Sequence, residues 1–175
     1  MKSGFLTLTL SLCAMLMSIA AEAQNEKRRH LGAYRDWDAF VYTYPGGKKT
    51  CHMISSPKSS QISRQGARRG DIYAMVSHRP EYGVKGEVNI IMGYPLRQGS
   101  DAVVRVDGRK RFEFFTEGSG AWAYDPKDDA AAVAAMRAGS RMVVNGSSQR
   151  GTNTTDTYSL SGFTAAYNAI TAACR

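Results

Sequence analysis

The residues of this sequence that could do chemistry are few and widely spaced. A serine hydrolase needs its nucleophile on a sharp turn, often within a G-x-S-x-G string. The nearest string here is Gly118-Ser119-Gly120, which is typical of a turn between strands. His78 ends a predicted strand and is the candidate general base, and His52 alternates with Cys51 along another strand. None of these residues has a partner at a spacing that predicts nucleophilic catalysis.

Paired carboxylates suggest a second chemistry, the hydrolysis of glycosidic bonds. Asp36 and Asp38 are two residues apart and would share one face of a strand, and Glu113 and Glu117 are the other candidates. A solvated strand face has the same pattern. The sequence has no zinc, calcium or phosphate-binding motif. We therefore predict a protein that is not an enzyme, with no catalytic residue, metal or cofactor.

Clusters of basic residues are more prominent in this sequence than any catalytic pattern. The 175 residues include 23 Lys and Arg against 15 Asp and Glu, which gives a net charge of +8. Such a charge attracts anionic polymers and lipid surfaces even without a specific site. No nucleic-acid motif accompanies the clusters, so we expect no nucleic-acid partner. The candidate anion-binding residues are Arg64, Arg68, Arg69, Arg109, Lys110 and Arg111.

The first 23 residues have the organisation of a secretory signal peptide. Lys2 precedes an apolar run over residues 5–20, and Ala21-Glu22-Ala23 supplies a cleavage site before Gln24. The run is shorter than the roughly 20 apolar residues that span a bilayer. We expect cleavage after residue 23, no transmembrane span, and a location in the periplasm or at the cell surface.

Two cysteines remain after such a cleavage, Cys51 and Cys174, because Cys13 lies in the leader. An even number of cysteines in an oxidising compartment favours a disulfide between them. Closing so long a loop would stabilise the fold by roughly 4–5 kcal/mol. A redox pair and a metal site are the alternatives, but the sequence lacks the C-x-x-C spacing and has only three histidines.

Short strand patterns fill most of the chain after the leader. We predict a flexible basic tail at 24–31, a single domain at 32–175, and a mobile loop at 56–70. Asp107-Gly108 favours a hairpin turn. The predicted strands cover residues 34–44, 50–55, 72–77, 88–94, 102–106, 112–115, 120–124, 141–145 and 156–160. Their aromatic residues are either core residues or a sugar-binding face: Trp37, Tyr42, Tyr44, Tyr94, Trp122 and Tyr124.

Two short helices are predicted near the C-terminus. Asp125-Pro126 begins the first and Gly139 ends it, while Ser161 is expected to cap the second. Strands and helices do not alternate, so an antiparallel sandwich or barrel-like sheet is favoured. In the second helix an apolar stripe recurs at helical spacing and includes a cysteine: Phe163, Ala166, Tyr167, Ile170, Ala173 and Cys174.

Several longer strings resemble the invasion-associated locus B family of exported Gram-negative proteins. The most specific are AVAAMRAGSRMVV at 132–144 and DTYSLSGFTAAY at 156–167, supported by YAMVSHRP at 73–80 and by Asp36-Trp37. The resemblance implies an immunoglobulin-like antiparallel β-sandwich in the periplasm or at the outer membrane, an association with host-cell invasion and virulence, and no enzyme. Many members place a cysteine three residues after the tryptophan, where this chain has Phe40, so their second disulfide is not expected here.

The sequence therefore predicts an exported, non-enzymatic envelope protein. Its basic loops, at 56–70 and 109–111, are expected to bind an anionic envelope or host-surface component or another envelope protein. A hydrolase of envelope polymers is one alternative, with Asp36 and Asp38, or Glu113 with His78, as its catalytic groups. A structural or chaperone-like partner of another envelope protein is the other.

Overall fold

A computed structural model describes residues 26–175, so the predicted leader lies outside the described residues. These residues form two α-helices, α1 (Pro126–Ala138) and α2 (Phe163–Ala173). No helix in the described part of the chain is long and apolar enough to cross a membrane. The strands are β1 (Lys27–Tyr34), β2 (Trp37–Thr43), β3 (Lys49–Ser55), β4 (Ser59–Ile62), β5 (Tyr73–Arg79), β6 (Val84–Ile91), β7 (Asp101–Val106), β8 (Lys110–Glu117), β9 (Gly120–Ala123), β10 (Arg141–Ser147) and β11 (Asn153–Ser159).

All these strands belong to one continuous sheet with antiparallel pairing, in the order β1-β2-β3-β5-β6-β9-β8-β7-β10-β11-β4. The predicted mainly antiparallel β fold with two helices near the C-terminus is confirmed. The sandwich predicted from the family resemblance would need two sheets, whereas hydrogen bonds here join all the strands. The joining strand is β9, which pairs with β6 on one side and with β8 on the other.

The sheet curls until strands near its two ends meet. The indole N–H of Trp37 at the start of β2 donates to the carbonyl of Ser159 at the end of β11, over 3.0 Å. The amide of Asp36 donates to the carbonyl of Ser161. The core lies inside this curl, and each large apolar side chain buried there contributes roughly 1.5–3 kcal/mol. The largest fully buried side chains are Trp37, Tyr158, Phe114, Phe163 and Met53.

Strand β1 occupies most of the segment that was predicted to be a flexible tail. It pairs with β2 from Lys27 opposite Thr43 to Tyr34 opposite Trp37. The tail prediction was therefore wrong for residues 27–31. The reason is that β1 is an edge strand whose first four residues are exposed, so it has no alternation of apolar and polar residues from which a strand could be predicted.

Strand β4 is the opposite edge of the sheet and lies within the predicted loop at 56–70. It pairs with β11, from Ile62 opposite Thr154 to Ser59 opposite Thr157. Its side chains are mostly exposed and polar, so this strand too lacks alternation. The segment is thus partly a strand, and only its remainder connects β4 to β5.

The two helices begin in different ways. The Asp125 carboxylate accepts hydrogen bonds from the amides of Lys127 and Asp128, which confirms the predicted cap of α1. The predicted Ser161 cap of α2 is wrong, because Gly162 is the N-cap residue and no side chain caps this helix. A glycine is needed there, since its φ is 90° and a Cβ atom would lie 1.7 Å from the carbonyl oxygen of Tyr34.

A disulfide joins Cys51 on β3 to Cys174 at the end of α2, with 6.0 Å between their Cα atoms. The helix turns its predicted apolar stripe inward, and Phe163, Ala166 and Ile170 are buried. The ring of Phe163 packs edge-on against the indole of Trp37. The bond thus holds the last helix against the strands that it covers.

Asp129 on α1 is an ionisable side chain buried beside β6. One of its carboxylate oxygens accepts a hydrogen bond from the amide of Val88 over 2.8 Å. Burial is the main cause that raises the pKa of Asp129 to about 6; the hydrogen bond from Val88 opposes this rise, and the nearby charges of Glu87 and Asp128 add to it. Because the folded-state pKa lies above the unfolded value, this carboxyl favours folding most below pH 3.8, and the contribution is lost as the pH rises through 6.

Replacing this carboxyl with an amide should stabilise the protein at alkaline pH. Asp129→Asn keeps an oxygen that can accept from Val88 and removes the buried charge, so the free energy of unfolding should rise by up to about 3 kcal/mol at pH 8. Urea unfolding at pH 8 and pH 4 measures the effect, with Asp128→Asn on the exposed side of the helix as the control. An equal gain at both pH values would contradict this account.

Candidate anion-binding site

A cleft of about 580 Å³ lies between the segment that follows β4 and the β10–β11 hairpin. Residues 64–69 form one wall, residues 148–150 with Thr152 form the other, and Gly93-Tyr94-Pro95 forms the floor. No aspartate or glutamate lines this cleft in the part of the chain that the structure describes. Its charged side chains are all arginines, namely Arg64, Arg68, Arg69 and Arg150.

Arg69 anchors the first wall to the body of the protein. Its guanidinium donates to both carboxylate oxygens of Asp156 on β11, over 2.7 and 2.6 Å. It also donates twice to the carbonyl of Met92, over 2.9 and 2.7 Å. The side chains of Arg69 and Asp156 are only 5% and 0% exposed, and Ser60 donates a further hydrogen bond to the carboxylate. Since its charge is neutralised inside the protein, Arg69 has a structural role in place of the predicted anion-binding one.

Tyr94 forms a fixed, uncharged floor under the arginines. The guanidinium carbon of Arg69 lies 5.1 Å from the centre of the Tyr94 ring. The Tyr94 hydroxyl is 2.6 Å from the hydroxyl of Thr154 on β11. Burial raises the pKa of Tyr94 above its usual value, so the phenol is neutral. The floor thus adds a hydrogen-bonding group without negative charge.

Three arginines remain to face a ligand: Arg64, Arg68 and Arg150. None of them is in an ion pair within residues 26–175. Each guanidinium is a planar donor that can bind two oxygens of a carboxylate, phosphate or sulfate. Arg150 was missed by sequence reasoning, because a single arginine in a polar turn has no neighbouring basic residue to mark it. Arg150 comes close to the first wall only because β4, which precedes that wall in the chain, pairs with β11.

The second predicted basic cluster, Arg109-Lys110-Arg111, lies on the β7–β8 hairpin and does not line the cleft. The turn of this hairpin is the predicted Asp107-Gly108, with φ values of 48° and 69°. The Arg111 guanidinium donates to the carboxylate of Glu113 on the same strand over 2.6 Å. The structure therefore does not bring the two basic clusters into one site.

The hydrolase candidates occupy structural positions. Ser119 lies in the turn between β8 and β9. His78 is buried, and its Nδ1 accepts a hydrogen bond from the amide of Gly86 over 2.8 Å. Its Nε2 must then carry the proton, which it donates to the hydroxyl of Thr171 over 2.9 Å. Burial also lowers the pKa of His78. Both ring nitrogens are engaged, so His78 links β5, β6 and α2.

His52 and Ser77 have the spacing of a catalytic pair but not its accessibility. The Nδ1 atom of His52 is 2.8 Å from the hydroxyl of Ser77 on the neighbouring strand. Ser77 is fully buried, so a substrate cannot reach its oxygen. Burial lowers the pKa of His52. The pair therefore satisfies a buried hydroxyl within the sheet.

The Asp36 and Asp38 carboxylates each have a side-chain partner. Asp36 lies 2.5 Å from the ammonium of Lys58, which holds the pKa of that carboxyl below its usual range. Asp38 lies 3.0 Å from the ring of His30. A glycosidase needs two carboxyl groups that can act on the substrate, whereas the Asp36 carboxylate is held in an ion pair with Lys58. Within the described residues, no group of three or more His, Cys, Asp or Glu side chains could hold a metal ion.

Comparisons with known proteins give one family and one solved structure. The family model described as "Invasion associated locus B (IalB) protein" matches residues 37–171, a range that contains the whole cleft. The crystal structure of invasion associated protein b from Bartonella henselae matches with a TM-score of 0.55 and 18% sequence identity, over 81% of this chain and 96% of that one. This likeness shows a shared fold. A search of the curated proteins finds no match.

Proposed function

Because the chain belongs to the invasion associated locus B family, we propose that it is an exported, non-enzymatic envelope protein that binds an anionic partner. The binding site is the cleft between Arg64, Arg68 and Arg150. The observation that supports this proposal is that these three cations face one concave surface, where no acidic residue among residues 26–175 pairs with them. The location is the periplasm or the cell surface, and contact with a host cell is one use of such a protein.

Electrostatics favours a bound anion in this cleft. Like charges held close together repel one another, and the low-dielectric walls of a cleft weaken the screening by water and salt. An anion placed between the arginines relieves this repulsion and gains charge-assisted hydrogen bonds. The net charge of +8 additionally attracts a negatively charged surface from a distance.

The partner is expected to carry phosphate, sulfate or carboxylate groups, as envelope lipopolysaccharide, anionic lipids and host-surface glycans do. Hydroxyl and amide side chains of Ser148, Gln149 and Thr152 lie beside the arginines and can bind the uncharged parts of such a partner. The buried Arg69–Asp156 pair holds the first wall of the cleft against β11. Binding would therefore need little rearrangement of the protein.

Two variants of equal charge test whether the cleft itself binds. The first replaces Arg64, Arg68 and Arg150 with glutamine, and the second replaces Arg109, Lys110 and Arg111 with glutamine. Affinity for heparin oligosaccharides, lipopolysaccharide or phosphatidylglycerol vesicles should fall by at least about tenfold in the first variant, because each lost charged hydrogen bond is worth roughly 1.5–3 kcal/mol. The second variant should bind nearly as well as the unmodified protein.

Binding to the unmodified protein should also weaken steeply as salt is added. Equal losses of affinity in the two variants would mean that binding depends only on net charge. This result would refute specific binding in the cleft. The absence of binding to all three anionic probes would refute the proposed function.

A further inference from the structure

An aromatic cluster lies on the outer face of the sheet, outside the arginine cleft. Phe115 on β8 and Trp122 on β9 are cross-strand partners, and their rings stack with 5.8 Å between centroids. The ring of Tyr124 lies 5.5 Å from that of Phe115, and this tyrosine is 59% exposed. Phe114, the neighbour of Phe115, is fully buried, so Phe115 points away from the core. We call these three rings the aromatic platform.

Two contacts fix the orientation of the aromatic platform. A Cβ atom at Gly120 would lie 2.4 Å from the six-membered ring of Trp122, so the indole lies directly across the backbone of this glycine. The Tyr124 hydroxyl donates to the carboxylate of Asp101 on β7 over 2.6 Å. Rings that are held in advance lose little conformational entropy when a ligand covers them.

A shallow polar groove of about 380 Å³ begins at Asp101 and continues across β7, β10 and β11. Amides and hydroxyls line it, including those of Asn145, Ser147, Asn153 and Thr155. Arg97 is its lining cation and Asp101 its lining anion, so the groove has no excess charge. This balance distinguishes it from the arginine cleft, with which it shares only Thr154 among the lining residues.

We propose that the aromatic platform and the polar groove together bind an uncharged carbohydrate chain. A pyranose ring has an apolar face of C–H groups that packs on an aromatic ring, and hydroxyls at its edge that need donors and acceptors. The aromatic platform can pack against the apolar face of the sugar, and the adjacent polar groove supplies donors and acceptors for the sugar hydroxyls. An apolar peptide would leave the groove's amides unpaired, at a cost for each buried polar group. A polyanion would meet the carboxylate of Asp101 where the two surfaces join.

Intrinsic fluorescence gives a direct measurement, because the chain has two tryptophans and Trp37 is only 1% exposed. Chitohexaose, cellohexaose and maltohexaose are suitable uncharged probes. At least one of them should shift the emission of Trp122 in a saturable way that changes little with salt. No shift with any of the three would overturn the proposal.

Calorimetry on variants then locates the site. Trp122→Ala should weaken the binding of that probe by at least about tenfold. Tyr124→Ala, at the most exposed ring of the platform, should weaken it as well and guards against a Trp122 variant that fails to fold. Tyr82→Ala is the matched control, since this tyrosine is 74% exposed but lies in the turn after β5. Equal losses in the Tyr82 and Tyr124 variants would overturn the proposal.

This inference is independent of the proposed anion binding. The variant that lacks Arg64, Arg68 and Arg150 should bind the uncharged oligosaccharide normally, while Trp122→Ala should bind heparin oligosaccharides normally. If the triple-arginine variant no longer bound the uncharged oligosaccharide, the oligosaccharide would bind in the arginine cleft. That result would overturn the assignment to the aromatic platform.

Discussion

Replacing Arg69 with methionine is expected to lower the free energy of unfolding by about 3–5 kcal/mol. The substitution leaves the carboxylate of Asp156, which is 0% exposed, without the guanidinium that neutralises it. It also removes two hydrogen bonds to the carbonyl of Met92. Domains of this size are stable by only about 5–15 kcal/mol, so the variant should be close to unfolding at 37 °C.

Urea unfolding at neutral pH measures this loss. Arg68→Met is the matched control, because it makes the same change one residue away, on a side chain that forms no ion pair in the described structure. It should change stability by no more than about 0.5 kcal/mol. The double variant Arg69→Met with Asp156→Leu should recover much of the stability, since both buried charges are then absent.

The relative stabilities of these variants distinguish a buried ion pair from apolar packing alone. If the Arg69 side chain stabilised the fold only through its apolar stem, the double variant would be less stable than the single one. If the ion pair were solvated, Arg69→Met and Arg68→Met would have the same small effect. Either result would contradict the role that we give to Arg69 as the anchor of the cleft wall.

Removing the disulfide is expected to have an effect of similar size. The bond joins cysteines 123 residues apart, and opening a loop of that length costs about 5 kcal/mol of stability in the chain-entropy account. The described chain would then unfold at much lower urea concentration, and α2 would lose its covalent link to β3. The Cys51→Ala and Cys174→Ala double variant and the reduced protein should be equally destabilised.

Urea unfolding with and without dithiothreitol tests this expectation. Dithiothreitol should lower the midpoint of the unmodified protein and leave that of the double variant unchanged, which makes the variant its own control for side effects of the reductant. Equal stability of the oxidised and reduced forms would contradict the stabilising role of the bond. Mass measurement before and after reduction would verify that the bond is present in the purified protein.

The antiparallel β fold could be predicted from the sequence wherever one face of a strand meets the core. The Asp107-Gly108 turn marked the β7–β8 hairpin, and the Asp125 cap marked α1. The edge strands β1 and β4 could not be predicted in this way, because exposed strands carry no alternation. The pairing of β9 with β6, which joins all the strands into one sheet, could not be predicted either, because β7 and β8 separate these two strands in the chain.

The candidate site could be predicted from the sequence even less completely than the fold. Arg64, Arg68 and Arg69 look equivalent in the sequence, yet the structure buries only the last of them, against a carboxylate 87 residues away. Arg150 joins the cleft, and Phe115 stacks on Trp122, only through the pairing of strands.

Residue types and local spacing thus determined which core-facing segments become strands or helices, the overall charge, and which two cysteines were available to bond. Tertiary structure alone decided which charges are paired and which aromatic rings meet, because the free energy of a charge or a ring depends on its burial and on neighbours that are distant in the chain.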